Sequence, residues 1–334
     1  MRKHLSVYAC TMIVVLSLMI PEGMASERLE THIADAMQKL SVTRNDSCLL
    51  VVTNATYVTV NGKPALSFLD KVQHQTGCTV GRGNLLFFQR PQDHPLRFVL
   101  FHKTSGESVI ISRKESDWRS KSLHLGAETI LTNAFWDNTD RFDVGNELFT
   151  LAAITNSWAK GAPYDFLKAA ELHNHLCPGL TSGYLIGRYI LNTYPLQEGD
   201  RYTILASPVW CKEDALQVLL DCTPGKKSMI VKPLSDKQKK QISVQNPAGI
   251  VLIWNPKKQS GEGVVLSFDS ERLSCIPPKN TPKAARILYN LQYIDKSEKF
   301  VSTAAEFDLN KALMQRLLMA GTNPYEELDL VNKK

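Results

Sequence analysis

Gly249-Ile250-Val251-Leu252-Ile253-Trp254, then Lys258-Gln259-Ser260-Gly261-Glu262, then Val264-Val265-Leu266 form one unit in the second half of this chain. Two runs rich in β-branched residues around a glycine-containing loop predict a β-hairpin. Hairpins make antiparallel neighbours, whereas parallel neighbours need a long crossover. The same unit occurs earlier, as Arg97-Phe98-Val99-Leu100-Phe101, Lys103-Thr104-Ser105-Gly106-Glu107 and Val109-Ile110-Ile111. Hairpins set among mixed strand and helix signals predict an α+β fold, with antiparallel-rich sheets packed by helices rather than a doubly wound parallel sheet.

The likeness extends upstream. At an offset of 144 positions, Asp70 falls on Asp214, Gln73 on Gln217, Cys78 on Cys222, Thr79 on Thr223 and Gly81 on Gly225. A short apolar strand follows each turn, Leu85-Leu86-Phe87-Phe88 in one copy and Met229-Ile230-Val231 in the other. This pattern predicts an internal duplication, with one domain over residues 26–150 and a second over 151–334. Trp158-Ala159-Lys160-Gly161-Ala162-Pro163 reads as the linker, and Pro282 to Leu318 has helical spacing at Ala285, Leu288, Leu291 and Ile294.

Chemistry concentrates in the second copy. His173-Asn174-His175-Leu176-Cys177-Pro178-Gly179-Leu180 carries three metal-competent side chains, which share a face if the segment is extended. Proline favours the first position of a helix, so Cys177 precedes a helix bearing Gly179, Gly183 and Gly187 as a bare stripe. An interior helical glycine costs about 1 kcal/mol against alanine. The stripe therefore implies a close approach, by a packed helix or by a ligand. Cys211 precedes a helical run, Lys212 to Leu220, on which Cys211, Asp214 and Gln217 recur every three residues. Thiolates at helix starts are stabilised by free N–H groups and the dipole.

Imidazole and thiolate together suit zinc or another divalent transition metal. His175, Cys177 and Cys211 are the foremost candidate ligands, with His173 or Cys222 completing or flanking the set. Asp214 is the candidate orienter or proton carrier, and so the candidate catalytic residue. Thr223 and Lys226 lie in a turn that can present N–H groups and an ammonium to an anion, or that simply turns. The first copy is degenerate here. No His-x-His-x-Cys-Pro-Gly occurs before residue 173, and Ser67 stands in the place of Cys211.

At these residues the chain resembles the FmdE family, named for a component of the formylmethanofuran dehydrogenase complex. That family is marked by His-Gly-His-x-Cys-Pro-Gly, a glycine-spaced helix, Cys-x-x-Asp-Ala-x-Gln and a Cys-Thr-x-Gly-Lys turn. Here these read His173 to Gly179, Gly183 and Gly187, Cys211 to Gln217, and Cys222 to Lys226, so the likeness covers about residues 165 to 270. Two departures are Asn174 in the place of glycine and the lack of a C-terminal Cys-x-x-Cys pair. The resemblance implies two tandem FmdE-like domains, the first degenerate. It implies a shared site rather than a shared reaction. The FmdE component is not the catalytic one of its complex, and this chain has no ferredoxin-type cysteine spacing and nothing like a pterin-binding domain.

Arg2 and Lys3 precede an apolar run from Leu5 to Ile20, and small residues lead to Ala25. This layout predicts a signal peptide over residues 1–25 and an exported chain, periplasmic or extracellular, beginning near Ser26. The run is shorter than the roughly 20 residues of a spanning helix. An uncleaved anchor is the alternative, and no later segment is apolar enough to cross a bilayer. The formal charge is +6. The basic run of Lys226, Lys227, Lys232, Lys237, Lys239 and Lys240 lacks interleaved aromatics, which argues against nucleic acid as a partner.

Six cysteines lie beyond Ala25, and an even count in an exported protein invites disulfides. Three functions follow from these features. The first is a metal-binding protein, zinc foremost, whose reaction the sequence does not name. The second is a non-enzymatic metal or cofactor carrier, and the third a thiol–disulfide protein. His173 and His175 argue against the third, since a disulfide scaffold needs neither. The expected partner is a small molecule or metal ligand. The expected assembly is a homodimer, or an intrachain pseudo-dimer of the two copies.

Overall fold

A computed structural model describes residues 22–114, 117–137, 144–145 and 147–332. The expected signal segment lies outside the described residues up to position 21. No helix among the described residues is long and apolar enough to cross a membrane.

The first half runs α1 (Glu22–Lys39), β1 (Leu49–Thr53), the two-residue strands β2 (Thr59–Val60) and β3 (Lys63–Pro64), then α2 (Phe68–Thr76) and β4 (Leu85–Phe87). The hairpin strands β5 (Leu96–His102) and β6 (Glu107–Lys114) follow, then β7 (Asp117–His124). After them come α3 (Ala127–Ile130), α4 (Asn133–Trp136), α5 (Glu147–Ala159) and α6 (Tyr164–His173). The second half runs α7 (Pro178–Thr193), β8 (Arg201–Ala206), α8 (Lys212–Leu220), β9 (Met229–Val231), α9 (Asp236–Gln241), β10 (Pro247–Asn255) and β11 (Ser260–Phe268). It closes with α10 (Ser270–Cys275), α11 (Arg286–Asn290), β12 (Val301–Asn310), α12 (Lys311–Leu318) and α13 (Pro324–Glu327).

The fold is α+β, built on two five-stranded sheets of the same order, β4-β1-β5-β6-β7 and β9-β8-β10-β11-β12. In each, the first strand pairs in parallel with the strand after the short helix and antiparallel with the hairpin. Both expected hairpins form, with Val99 opposite Ile110 and Val251 opposite Val264. The agreement reaches single atoms. Cys78 Sγ donates to the Leu49 carbonyl at 3.5 Å, and Cys222 Sγ to the Tyr202 carbonyl at 3.6 Å. Leu49 and Tyr202 each precede by two positions the residue paired with the next parallel strand, Val51 with Leu85 and Ile204 with Met229. Thr79 Oγ1 accepts the Arg82 N–H as Thr223 Oγ1 accepts the Lys226 N–H.

Successive strand residues point to opposite faces, and both faces of each sheet are covered. Leu49, Val51 and Phe98 pack under Leu29, Ile33 and Val72 of α1 and α2. Leu50, Val52 and Val99 face the other way, onto Leu151, Ile154 and Phe166 of α5 and α6. That cluster continues without a break into Leu180 and Tyr184 of α7 and Ala215 of α8. The far side of α7 and α8, with Leu185, Ile190 and Leu216, covers Ile204, Val251 and Val264 of the second sheet. Leu317 of α12 and Tyr325 of α13 close its last face.

Three expectations need correction. Trp158 to Pro163 is no free linker but the end of α5 and a tight turn into α6. The Trp158 indole donates to the Gly83 carbonyl at 2.8 Å, and Gly161 takes φ +78°. The expected boundary at 150/151 falls inside α5, a helix buried on nearly every side between the halves. The helical spacing from Ala285 is realised in α11, but β12 then interrupts it as the edge strand paired to β11.

Candidate metal centre

The site is built where α6 hands over to α7. His173 is the last residue of α6, and Asn174 follows in the left-handed region at φ +65°. Among residues with a side chain, asparagine tolerates that region well. Asn174 also ties the turn to the first half, since its Oδ1 accepts the Gln89 N–H at 3.0 Å and its carbonyl accepts the Thr150 hydroxyl at 2.8 Å. Cys177 is the N-cap of α7, its Sγ accepting the Leu180 N–H at 3.3 Å, and Pro178 opens the helix. The segment is therefore not extended, as the alternation of side chains suggested. It is a helix end, a left-handed reversal and a helix start.

The reversal brings the three side chains together. His173, His175 and Cys177 each offer one ligand atom, and these atoms all lie within 4.8 Å of one another. The two imidazole rings are 4.4 Å apart, and His173 Nε2 stands 3.6 Å from Cys177 Sγ. His173 Nδ1 bonds to Asp214 Oδ2 at 2.7 Å, while Asp214 Oδ1 accepts the Gln217 amide at 3.3 Å. Zinc bonds of about 2.0–2.1 Å to nitrogen and about 2.3 Å to sulfur, meeting at the tetrahedral angle, separate the two donors by about 3.5 Å. The observed spacing fits. So does the carboxylate on the far nitrogen of His173, the usual arrangement behind a metal-bound histidine.

The glycine stripe explains how α8 reaches this site. A methyl group on Gly183 would lie 2.3 Å from the Lys212 carbonyl oxygen, and one on Gly187 3.0 Å from Leu219 Cδ2. One on Gly179 would lie 3.0 Å from Cys211 Cβ and 3.2 Å from its Sγ. The close approach is thus a packed helix, which sets Cys211 beside Cys177.

The two helix-start thiols differ. Burial works against the Cys177 thiolate, but hydrogen bonds from His173, His175 and the Leu180 N–H outweigh it and hold the thiol down at about 5. His173 is pushed up to about 9 by Asp214 first and then by Cys177. Cys211 rises to about 11, through burial and then the neighbouring Cys177 charge. The expectation that both thiolates are stabilised holds for Cys177 only. Cys211 adjoins the group of three without being part of it.

Cys222, expected to complete or flank the ligands, lies elsewhere. It belongs to the core beneath the second sheet, bonded to the Tyr202 and Leu220 carbonyls, and burial pushes its thiol up to about 11. The nine residues of α8, roughly 13 Å at 1.5 Å each, separate it from Cys211. Thr223 and Lys226 share that remote end. Thr223 caps its own turn and Lys226 pairs with Asp221, so neither is offered to the site. All six described cysteines are free thiols.

His175 opens onto a cleft of about 840 Å³ between the halves, walled by Arg90, Trp136, Glu147, Phe149 and Lys283 among others. Phe149 meets the His175 ring edge-on at 5.3 Å. Sequence reasoning missed these residues. Four of them come from the half that carries no motif, and no local pattern joins them to Lys283.

Residues 172–317 match a family model described as "FmdE, Molybdenum formylmethanofuran dehydrogenase operon". The match begins later than the motif-based expectation and runs on into α12. No curated protein matches this chain. Residues 172–317, from the doorstep of the His/Cys group to the helix behind the second sheet, are thus the part of the chain that is similar to the FmdE family.

Proposed function

We propose that this is an exported FmdE-domain protein that holds zinc, or another divalent transition metal, on His173, His175 and Cys177. One observation carries the reading: His173 Nε2 lies 3.6 Å from Cys177 Sγ while its Nδ1 is taken by Asp214. Three protein ligands leave a fourth position, the arrangement of a working rather than a purely structural zinc. A metal there supplies Lewis acidity, or a hydroxide at neutral pH. The chain's own residues do the positioning. Asp214 fixes the His173 tautomer, the Leu180 N–H steadies the Cys177 sulfur, and Cys211 keeps its proton at the rim.

The export reading has support in the packing of α1. Leu29, Ile33 and Ala36, which hold the helix to the first sheet, all lie beyond Ala25, so cleavage there would spare the core. Intact mass of the exported protein tests it, and a chain retaining Met1 in the cytoplasm would defeat it. The common strand order supports tandem duplication, with the first copy standing where a second subunit would stand in a symmetric pair.

A second reading has its own observation. Cys177, His173 and Asp214 in series are also a thiol, a base and an orienting carboxylate, the arrangement of an activated nucleophile. Elemental analysis and thiol counting on one sample of protein from its own compartment separate the two. About one metal per chain, lost in Cys177→Ser, supports the metal centre. A metal-free protein with a reactive Cys177 would overturn it in favour of the thiol.

A further inference from the structure

The cleft at His175 has a composition that selects its occupant. Its volume of about 840 Å³ suits a small molecule. Trp136 and Phe149 give it aromatic walls, their rings 6.4 Å apart and tilted. Among its described lining residues Glu147 is the one carboxylate, and two guanidiniums already hold it, Arg90 Nε and Arg97 Nε each at 2.9 Å. The Arg97 contact is one of charge rather than an aligned hydrogen bond. Arg90 also donates from Nη1 to the Gln89 carbonyl and lies over the Phe88 ring, so its guanidinium is held in place beside the cleft that it lines. Lys283 is exposed, and its ammonium lies over the Phe149 ring face at 5.7 Å. Phe149 stands between this ammonium and His175, so the two are no more than about 11 Å apart.

We propose that this cleft binds a small organic acid, its carboxylate held by Lys283 and Arg90, its flat apolar body against Trp136 and Phe149, and its other end at the metal beside His175. An ammonium free to swing, next to a guanidinium fixed by its own ion pair, recognises a carboxylate by charge and by directed hydrogen bonds. The first turn of α5, also in the cleft wall, adds the positive end of a thirteen-residue helix. The first half of the chain is then not idle scaffold. It supplies the recognition wall for a centre that the second half carries. This inference rests on the metal reading for the far end of the ligand, and on the cleft alone for the carboxylate.

The test uses the full mature chain loaded with zinc, its zinc content measured, and two probes: benzohydroxamate and 4-carboxybenzohydroxamate. Calorimetry should show the carboxylate-bearing probe binding at least tenfold more tightly. Lys283→Ala should cut that preference at least threefold while keeping the zinc, the remainder being the share held by Arg90. Equal affinities in a zinc-loaded wild type would overturn the inference and leave the metal centre standing. Zinc-loaded protein that binds neither hydroxamate would break the link between cleft and metal. A chain that takes up no zinc would defeat the metal reading instead. The cleft is still testable then, with benzoate titrated into metal-free protein. Benzoate binding that Lys283→Glu abolishes supports the carboxylate site, and binding indifferent to Lys283→Glu overturns it.

Discussion

Gly183 and Lys212 touch backbone to backbone: the place where a Gly183 Cβ would stand is 2.3 Å from the Lys212 carbonyl oxygen and 2.5 Å from its Cα. Neither atom belongs to a movable side chain, so α8 cannot yield without moving as a unit. Gly183→Ala should therefore destabilise the protein by about 1–3 kcal/mol, the range for overpacking a tight contact. It should also draw Cys211 away from Cys177. Gly225→Ala, where nothing lies within 4 Å, is the control and should leave the melting temperature unchanged. Thermal denaturation of the two variants decides the point.

The cysteines should sort by location. Cys177→Ser should lose the metal with the fold intact, because its sulfur is the proposed ligand as well as a helix cap. Cys222→Ser should keep the metal, since its side chain lies in the core beneath the second sheet and bonds to the Tyr202 and Leu220 carbonyls, away from the ligands. Cys275→Ser, at an exposed thiol, should change neither. Elemental analysis beside urea denaturation reads all three, and metal loss in Cys222→Ser would contradict the assignment.

Asp214→Asn should weaken the metal by about 10–100-fold without unfolding the chain. The carboxylate is about one third exposed, so the fold depends on it little, while the His173 tautomer depends on it directly. Competition with a chelator of known affinity measures the loss. An unchanged affinity would show that Asp214 does not orient His173.

Metal affinity should rise with pH in two stages. In metal-free protein His173 is raised to about 9, so it carries a proton at neutral pH that binding must expel. Cys177 is lowered to about 5, so it is already a thiolate there. Between about pH 5 and pH 9 the His173 proton competes with the metal, and affinity should rise with pH by at least about tenfold per unit. Below about pH 5 protonation of Cys177 adds a second factor and the slope should steepen, whereas above about pH 9 it should flatten. Chelator competition on both sides of these two values checks the shape. A flat profile across neutrality would exclude His173 as a ligand.

What could be read from the chain was local. The hairpins, the Cys–Thr turn and the helix starts at Pro178 and Lys212 each lie within a few residues of their signal, and all are in place. The group of His173, His175 and Cys177 was legible for the same reason, although the backbone that joins them is a reversal and not a strand. Cys222 misled because motif proximity was taken for spatial proximity. One helix of nine residues lies between it and Cys211, and its thiol has the same structural duty as Cys78 in the half without chemistry. The burial of α5 was not legible either. A helix apolar on nearly every side has no amphipathic stripe to show which neighbours cover it. The cleft residues were hidden for a related reason, as only the docking of the two halves makes them neighbours.

Asn174 hangs the ligand turn from Gln89 and Thr150, and α5 and α6 cover Leu180, Tyr184 and Ala215. A clone trimmed to the family-matched segment would present those apolar side chains to water and let the turn go slack. Such a fragment should aggregate or bind metal poorly, and its failure would say nothing about the intact molecule. The first half braces the site in the second, so truncations between the halves should be lethal to the site even though every ligand survives them.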